Sequence, residues 1–492
     1  MRNLRRAFLL PLSAIALLTG CAAVGPDYSP PAPRLPSGFG PSTAGLGAGD
    51  VEIEWWRVFD DPALTELIRR ALAANHDVGL AVARLDEAKA LLREQRQDFL
   101  PRGDVALSYE TRRLGEAEKM AAQPRHTETY RGALESSWEI DLFGRVRRSV
   151  ELAQAQAGNR EALLRGVQAG VAAEVAATWF ELRGFEAELE VVADINQSQR
   201  ESLALVERQR LAGAASDFDQ LRAEALLRSV EVATPELERR RTAAANALAT
   251  LLGEMPQTFR PPAVGRENQP PALRTIAVGA PGALLARRAD ITAAERDLAA
   301  ATARIGVETA DLYPHIEARG SIGLVAGNLD AMNGAGVLSG FIAPIIRWSF
   351  LDIGRVRARI AASEAQARQA LLIYDQTVLR ALRETEDAFK AYAAAGDLLA
   401  LRLLEAAANR EAARLSRLRF AAGQGIYLEV LEAERADFAS RRAVAFAHTQ
   451  RRLAVVSIYK ALGGGWEVCA AAVNDCRGAG NSFPAKKVGG KP

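Results

Sequence analysis

The stretch Trp138-Glu139-Ile140-Asp141-Leu142-Phe143-Gly144-Arg145-Val146-Arg147 decides the fold, because it is written twice. It recurs as Trp348-Ser349-Phe350-Leu351-Asp352-Ile353-Gly354-Arg355-Val356-Arg357, an offset of 210 residues. Working outward, Gly213 falls on Gly423, Leu221 on Leu431 and Leu252-Gly253 on Leu462-Gly463 at the same offset. Upstream the offset is 213, pairing Asp77 with Asp290 and Pro101 with Pro314. Several matches in register point to two structural repeats of one unit.

Each unit parses alike. A helix, about residues 77–99 and 290–312, ends ahead of a proline, which disfavours helix in the residue before it. A strand pair follows. Tyr130, Gly132, Leu134, Ser136, Trp138, Ile140 and Leu142 alternate with Thr129, Arg131, Ala133, Glu135, Ser137, Glu139 and Asp141, the period of two of a strand with unlike faces. Ile316, Ala318, Gly320, Ile322 and Leu324 alternate with polar neighbours in the same way. A fourth strand is expected at about 338–351, apolar on both faces. After each Gly-Arg-Val-Arg the period becomes helical. Residues 144–211 and 354–422 lack proline, and at about 1.5 Å per residue each helix would be roughly 100 Å long. Val378, Leu382, Thr385, Phe389, Tyr392, Gly396, Leu399 and Leu403 keep the 4-3 spacing of a coiled-coil seam. Leu164, Val167, Val171, Val175, Leu182, Phe185, Leu189 and Val192 nearly keep it. Each long helix stops at a glycine, and a second helix returns over about 216–253 and 427–463, with a kink expected at Pro235.

Composition narrows the function. The 492 residues carry 62 Lys+Arg against 60 Asp+Glu, without the basic surplus that holds a protein to nucleic acid. Aromatics are scarce at 6 %, and Ala, Leu, Glu and Arg dominate, as in long helices. Four histidines and three cysteines form no metal-ligand spacing, and HExxH, GxSxG and P-loop motifs are absent, so no enzyme, metal site or cofactor is expected.

The amino end reads as an address. Arg2, Arg5 and Arg6 precede an apolar run at 7–18, then Leu18-Thr19-Gly20-Cys21. The run is too short for a membrane helix, which needs about 20 residues, and fits a bacterial secretory signal over residues 1–20. The tetrapeptide resembles the lipobox of bacterial lipoproteins, making Cys21 the candidate lipidation site, a palmitate-bearing anchor. Ala22 stands where the inner-membrane retention signal would place Asp, so the anchor should sort to the outer membrane. A Pro/Gly/Ser tether completes residues 21–50. Repeat 1 then occupies 51–255, a Pro-rich linker 256–280, repeat 2 281–466 and a disordered Gly/Lys/Pro tail 467–492.

No later stretch has the 18 or so consecutive apolar residues of a membrane helix, so any crossing is made by strands. Four strands alone would leave unpaired amides in hydrocarbon at several kcal/mol each. A closed barrel needs around eight. Four strands per chain therefore predict oligomerisation, and three chains would give twelve.

At this point the residues resemble the outer membrane factor family, the TolC-like channels of efflux and export systems, and within it the lipidated NodT/OprM-like branch. The resemblance covers nearly the whole mature chain. Its pieces are Trp55-Trp56, Phe59-Asp60-Asp61-Pro62, Leu64, Leu67-Ile68, Asn75, the Trp138 to Gly144 stretch, Pro235 through Leu252-Gly253, Leu285-Ala286-Arg287-Arg288-Ala289-Asp290, and Tyr459-Lys460-Ala461-Leu462-Gly463-Gly464-Gly465-Trp466. The resemblance implies a mainly helical fold with a small transmembrane β part: a homotrimer whose twelve-stranded barrel sits on a tapering α-helical barrel. It further implies contact with outer-membrane lipid, docking onto a periplasmic adaptor (membrane fusion) protein, and linkage to an inner-membrane pump of RND type. Catalysis has no part in this component. A lipid-anchored periplasmic coiled-coil scaffold or adaptor is the rival reading, and the duplicated strand pairs argue against it.

Two departures from the family stand out. Ala289 replaces a proline in the L-x-R-R-P-D pattern. Gly425 stands where the family often places the aspartate of an acidic ring at the periplasmic gate, so Asp217, Asp219 and Glu429, with Arg210, Arg417 and Arg419 as ion-pair partners, become the gate candidates. Asp near a helix start also stabilises exposed amides without any gating role. Gly213, Ala214, Gly423, Gln424 and Gly425 mark the hairpin tips expected to meet the adaptor. Cys469 and Cys476 are placed to close a disulfide in an oxidising compartment. Replacing Cys21→Ser should remove the acyl mass from the mature protein and release the anchor, measured by mass spectrometry and membrane fractionation; unchanged mass and attachment would refute the lipobox.

Overall fold

The computed structural model describes residues 23–33, 35–36, 38–40, 46–47, 54–118, 120, 124–263, 276–278, 281–282, 287–464. Cys21, Cys469, Cys476, the signal and the tail lie outside the described residues. The chain is mainly helical and divides into two compact units. One comprises residues 1–33, 84–161 and 293–376, and the other 34–83, 162–292 and 377–492.

The first unit carries the sheet. Its strands are β1 (Arg102–Arg113), β2 (His126–Ile140), β3 (His315–Ala326) and β4 (Leu338–Arg347), antiparallel in the order β1-β2-β3-β4. The pairing of β2 with β3, Tyr130 opposite Ala326 through Ile140 opposite Ile316, joins segments far apart in sequence. The fourth strand stops at Arg347, short of the expected 351, because Phe350–Asp352 turns as a 3-10 helix into the next element. The duplicated tryptophans act alike. Trp138 Nε1 donates to Phe99 O at 3.1 Å and Trp348 Nε1 to Leu312 O at 3.0 Å, each reaching a carbonyl two residues ahead of the repeated proline.

Helix α1 (Pro62–Ala74) is followed by α2 (His76–Gln97), α3 (Arg145–Leu211), α4 (Asp217–Glu231), α5 (Ala233–Leu251), α6 (Ala289–Ala310), α7 (Ile353–Ala421) and α8 (Tyr427–Ala461). The long α3 and α7 hold 67 and 69 residues. At about 1.5 Å per residue each is roughly 100 Å of continuous helix. The first return helix breaks at Val232 between α4 and α5, close to Pro235, whose missing N–H leaves one carbonyl of the preceding turn without its helical donor. The seam of α7 holds through Leu399, then continues through Ala406, Ala413 and Phe420, all buried at heptad spacing, so that Leu403 faces outward. The expected seam therefore keeps its register, and of its expected positions only Leu403 is exposed.

Within the second unit, the family motifs build an aromatic and polar core. Trp55 is 1 % exposed and stacks on Tyr459 with centroids 5.2 Å apart, and Phe59 packs on Phe180. Arg288, also buried, binds Asp290 at 2.8 Å, Glu384 at 2.7 Å and the Ala461 carbonyl at 3.0 Å, fastening the start of α6 to α7 and the end of α8. Burial opposes charge on Asp290, but the Arg288 guanidinium outweighs it and holds the carboxyl below its usual range. Ala289 opens α6, a position a proline would also suit, so its loss leaves the helix start intact. Asp61 caps α1 by accepting from Leu64 N at 3.0 Å and also accepts from Trp179 Nε1 at 2.8 Å.

Some described residues of the segment expected as a tether make specific contacts. In the first unit Val24 N donates to Phe143 O at 3.0 Å, and Arg148, 3 % exposed, donates to Val24 O and to Asp27 Oδ1 at 2.6 Å. Gly144 takes φ 82°, and a side chain there would strike Ala23, so glycine is required on both counts. In the second unit Phe39 packs edge-on against Phe389, and Gly40 N donates to Glu386 at 2.8 Å. Of the Pro-rich linker, Ile276–Ala277 pairs in parallel with Leu46–Gly47.

Asp61→Ala should cost about 1 kcal/mol for the lost cap plus about 1–3 kcal/mol for a stranded buried indole N–H. The check is the denaturation midpoint in detergent, with Asp61→Asn losing less.

Candidate functional site

The sheet sorts its residues by face, and the register makes this explicit. Val105, Leu134, Ile322 and Gly340 form one cross-strand row, Leu107, Gly132, Leu324 and Leu338 the next, and Ile140, Ile316 and Ile346 a third. On the opposite face the rows read Asp104, Glu135, Ser321, Phe341 and Arg102, Ser137, Arg319, Ala343. One face is thus apolar across all four strands and the other mostly polar, with Val325 of β3 and Phe341 and Ile345 of β4 its large apolar exceptions. Large apolar side chains stay uncovered: Leu107 is 82 % exposed and Ile342 88 %. Burying such a surface is worth roughly 25 cal/mol per Å2, and a contiguous patch of this kind marks a membrane or protein contact. β1 and β4 are the edge strands, each with one side unpaired among the described residues. No described helix is long and apolar enough to cross a membrane.

The second unit holds the hairpin tips. Both use the same glycine stop. Gly213 has φ 73° and Gly423 φ 71°, the left-handed conformation that closes a helix C-terminus without a Cβ penalty. Gly213 N bonds Arg210 O at 2.9 Å and Ala214 N bonds Gln209 O at 2.8 Å; Gly423 N bonds Phe420 O at 3.0 Å and Gln424 N bonds Arg419 O at 2.9 Å. The helices that follow start differently. Ser216 and Asp219 form a reciprocal capping box at α4, whereas Ile426 at the start of α8 offers no side-chain cap. Gly425 lies where a Cβ would stand 3.2 Å from the Glu429 carboxylate, so an aspartate at this position would face like charge.

The gate candidates fall into separate places. Asp217 accepts from Arg210 at 3.2 Å, and Arg419 approaches Glu429 at 3.7 Å, both as exposed pairs of the kind worth about 0–1 kcal/mol. Asp219 is engaged in its cap. Arg417 points elsewhere, toward Glu434 in the interior. Sequence reading passed over two features here. Leu211, Phe218, Leu221 and Ile426 expose large apolar side chains at the tips, with the Arg222 guanidinium 4.1 Å from the Phe218 ring centre. A buried Glu434 is the other. Solvated-looking apolar residues flanking each glycine carried the first signal, and the seam position of Glu434 among Tyr427, Val430 and Phe438 the second. Among the described residues no cluster of three or more His, Cys, Asp or Glu is placed to hold a metal ion.

Comparison with known proteins agrees with this geometry. The family described as outer membrane efflux protein matches residues 67–254 and 280–464. The solvent efflux pump outer membrane protein SrpC of Pseudomonas putida is 32 % identical over 469 residues, covering 93 % of this chain and 98 % of the relative. The outer membrane protein OprJ of Pseudomonas aeruginosa is 31 % identical, covering 94 % and 96 %. Among solved structures, the outer-membrane channel OprN superposes with a TM-score of 0.85 at 34 % identity, covering 91 % of this chain and all of that one. The open state of the MtrE outer membrane channel of Neisseria gonorrhoeae gives 0.80 at 25 %, covering 90 % and 99 %. Sheet, hairpins and relatives lead to one conclusion: the chain belongs to the outer membrane efflux protein family, a channel component of the outer membrane and not an enzyme.

Proposed function

We propose that three copies of this chain form the exit duct of a tripartite efflux system, with twelve strands closing a barrel in the outer membrane and two repeats per chain building a helical barrel below it. The observation that carries this is the four-stranded sheet with an uncovered apolar face and two open edges. In hydrocarbon every backbone amide needs a partner, and β4 of one copy pairing with β1 of the next satisfies both edges at once. The mostly polar opposite face then lines water. Element order supports the repeat reading: strand pair, long helix, αL glycine and return helix occur twice, with Gly253 and Gly463 also sharing a positive φ.

The duct is anchored by acylated Cys21. It docks through its tips (Gly213, Ala214, Gly423, Gln424 and Gly425, flanked by exposed Leu211, Phe218 and Ile426) onto a periplasmic adaptor coupled to an inner-membrane pump of RND type. Apolar side chains beside a glycine turn offer a helical partner both area and close backbone approach. The periplasmic constriction is formed by the charged tip residues, Asp217 with Arg210 and Glu429 with Arg419.

Purified full-length protein should insert into planar lipid bilayers and give discrete conductance steps; no conductance under any condition would favour a non-spanning coiled-coil scaffold. Asp217→Ala should raise the resting leak severalfold while the step size of the fully open channel stays the same, and an unchanged leak would move the constriction to other residues.

A further inference from the structure

Toward the tips, the buried seam of α3 runs Val192, Ile195, Gln199, Ser202, Val206, so two polar residues interrupt a coiled-coil spacing. The facing stripe of α8 runs Tyr427, Val430, Leu431, Glu434, Asp437, Phe438, all buried. Around them Ile195, Val206, Ala223, Leu226, Phe420, Val430, Leu431 and Phe438 make one apolar cluster. Glu434 sits inside it with no exposed surface. Its Oε2 accepts from Gln199 Nε2 at 2.9 Å, its Oε1 from Ser202 Oγ at 2.5 Å, and Arg417 Nε stands 3.3 Å from Oε1. Arg417 also donates to Ser198 Oγ at 3.1 Å. One carboxylate therefore ties α7 and α8 of the second hairpin to α3 of the first. Asp437, one turn along α8, is 4 % exposed, and its Oδ1 has no partner. Gln199 Oε1, Asn196 Oδ1 and the Tyr427 hydroxyl are likewise buried and unpartnered.

Such a layer is costly in its charged form, because a buried carboxylate loses hydration that two hydrogen bonds and one ion pair replace only in part. Burial pushes Glu434 above the ordinary 4.5 of glutamate despite Ser202, Gln199 and Arg417, and burial also pushes Asp437 up. The charged groups facing them are Arg417 and Arg410 from α7, and Arg441 and each other from α8. From α3 come the neutral Gln199, Ser202 and Ser198 and the acidic Asp194, which accepts from Arg441 at 3.0 Å, and from α4 the apolar Ala223 and Leu226, with Asp219 acting on Tyr427.

We propose that Glu434 and Asp437 form an acid-tightened latch between the two hairpins: proton uptake strengthens the packing of α8 on α3, and proton loss favours their separation near the tips. The sign follows from linkage. A carboxyl that titrates higher when packed than when hydrated binds its proton more tightly in the packed state. The packed state is therefore favoured as pH falls through the raised value and weakened as pH rises above it. A difference of one pKa unit between the two states corresponds to about a tenfold change in the opening equilibrium. The latch rests on the channel reading only for its consequence at the gate.

Hydrogen exchange of the full chain in detergent, corrected for intrinsic rates, tests it on residues 192–206 and 427–441. Between about pH 5 and pH 8 protection of both segments should fall severalfold in the wild type. Glu434→Gln with Asp437→Asn, neutral at every pH and similar in shape, should hold the acid-like protection throughout. Asp437→Asn alone should reduce the pH response, which keeps the test alive if the Glu434 variant does not fold. Wild-type protection that ignores pH, or a doubly neutral variant that keeps the wild-type response, would overturn the latch and leave a polar layer that only fixes seam register. Bilayer leak read over the same range separates the two readings. A pH-dependent exchange with a pH-independent leak would uphold the latch and overturn the gate at the tips.

Discussion

Peptide groups left unpaired in a low-dielectric medium cost several kcal/mol each, and that constraint organises everything this chain does. Its sheet is long enough to matter, with twelve residues in β1 and ten in β4, yet both edges are open among the described residues. The apolar face cannot be hidden inside the chain either, since the large side chains on it remain exposed. A protein with this sheet must find both lipid and partners. The proposed trimer meets both needs with one edge-to-edge contact repeated three times.

The long helices answer to a different physics. They are too polar to span lipid and too narrow in their apolar stripe to form an isolated globule, so they pack through seams filled by alanine and occasional large residues. Where the seam must be fastened, the chain uses buried arginine or carboxylate rather than more hydrocarbon. Arg288 joins three helices near the family motifs, and Glu434 joins three near the tips. Both cost desolvation, and both fix a specific arrangement that interchangeable alanines would leave loose.

Much of this was legible in the sequence, for local reasons. The duplication, the strand alternation, the proline stops and the tip glycines are all set within a few residues of themselves. β4 was blurred because Phe341 and Ile345 carry apolar side chains on the polar face, which hides the period of two. The seam continues in register beyond Leu399, where alanines at 406 and 413 give almost no contrast with the alanines around them. Pairings at long range, such as β2 on β3 or Asp61 on Trp179, leave no local trace. Glu434 reads like any solvated helix glutamate, and only its spacing from Tyr427, Val430 and Phe438 distinguishes it. The gate candidates were chosen by resemblance, and in the fold one of them, Asp219, is occupied by capping its own helix.

The amino-terminal strap lies on one copy of the strand-to-helix corner only. Ala23 presses on Gly144, while among the described residues nothing comes within 4 Å of a Cβ placed on the corresponding Gly354. The two corners of the proposed repeats are thereby under unequal constraint. The corner at Gly144 is held by a segment that precedes the first copy of the motif, whereas the described residues leave the corner at Gly354 uncovered. Sequence differences between the two corners should accordingly follow what each of them touches.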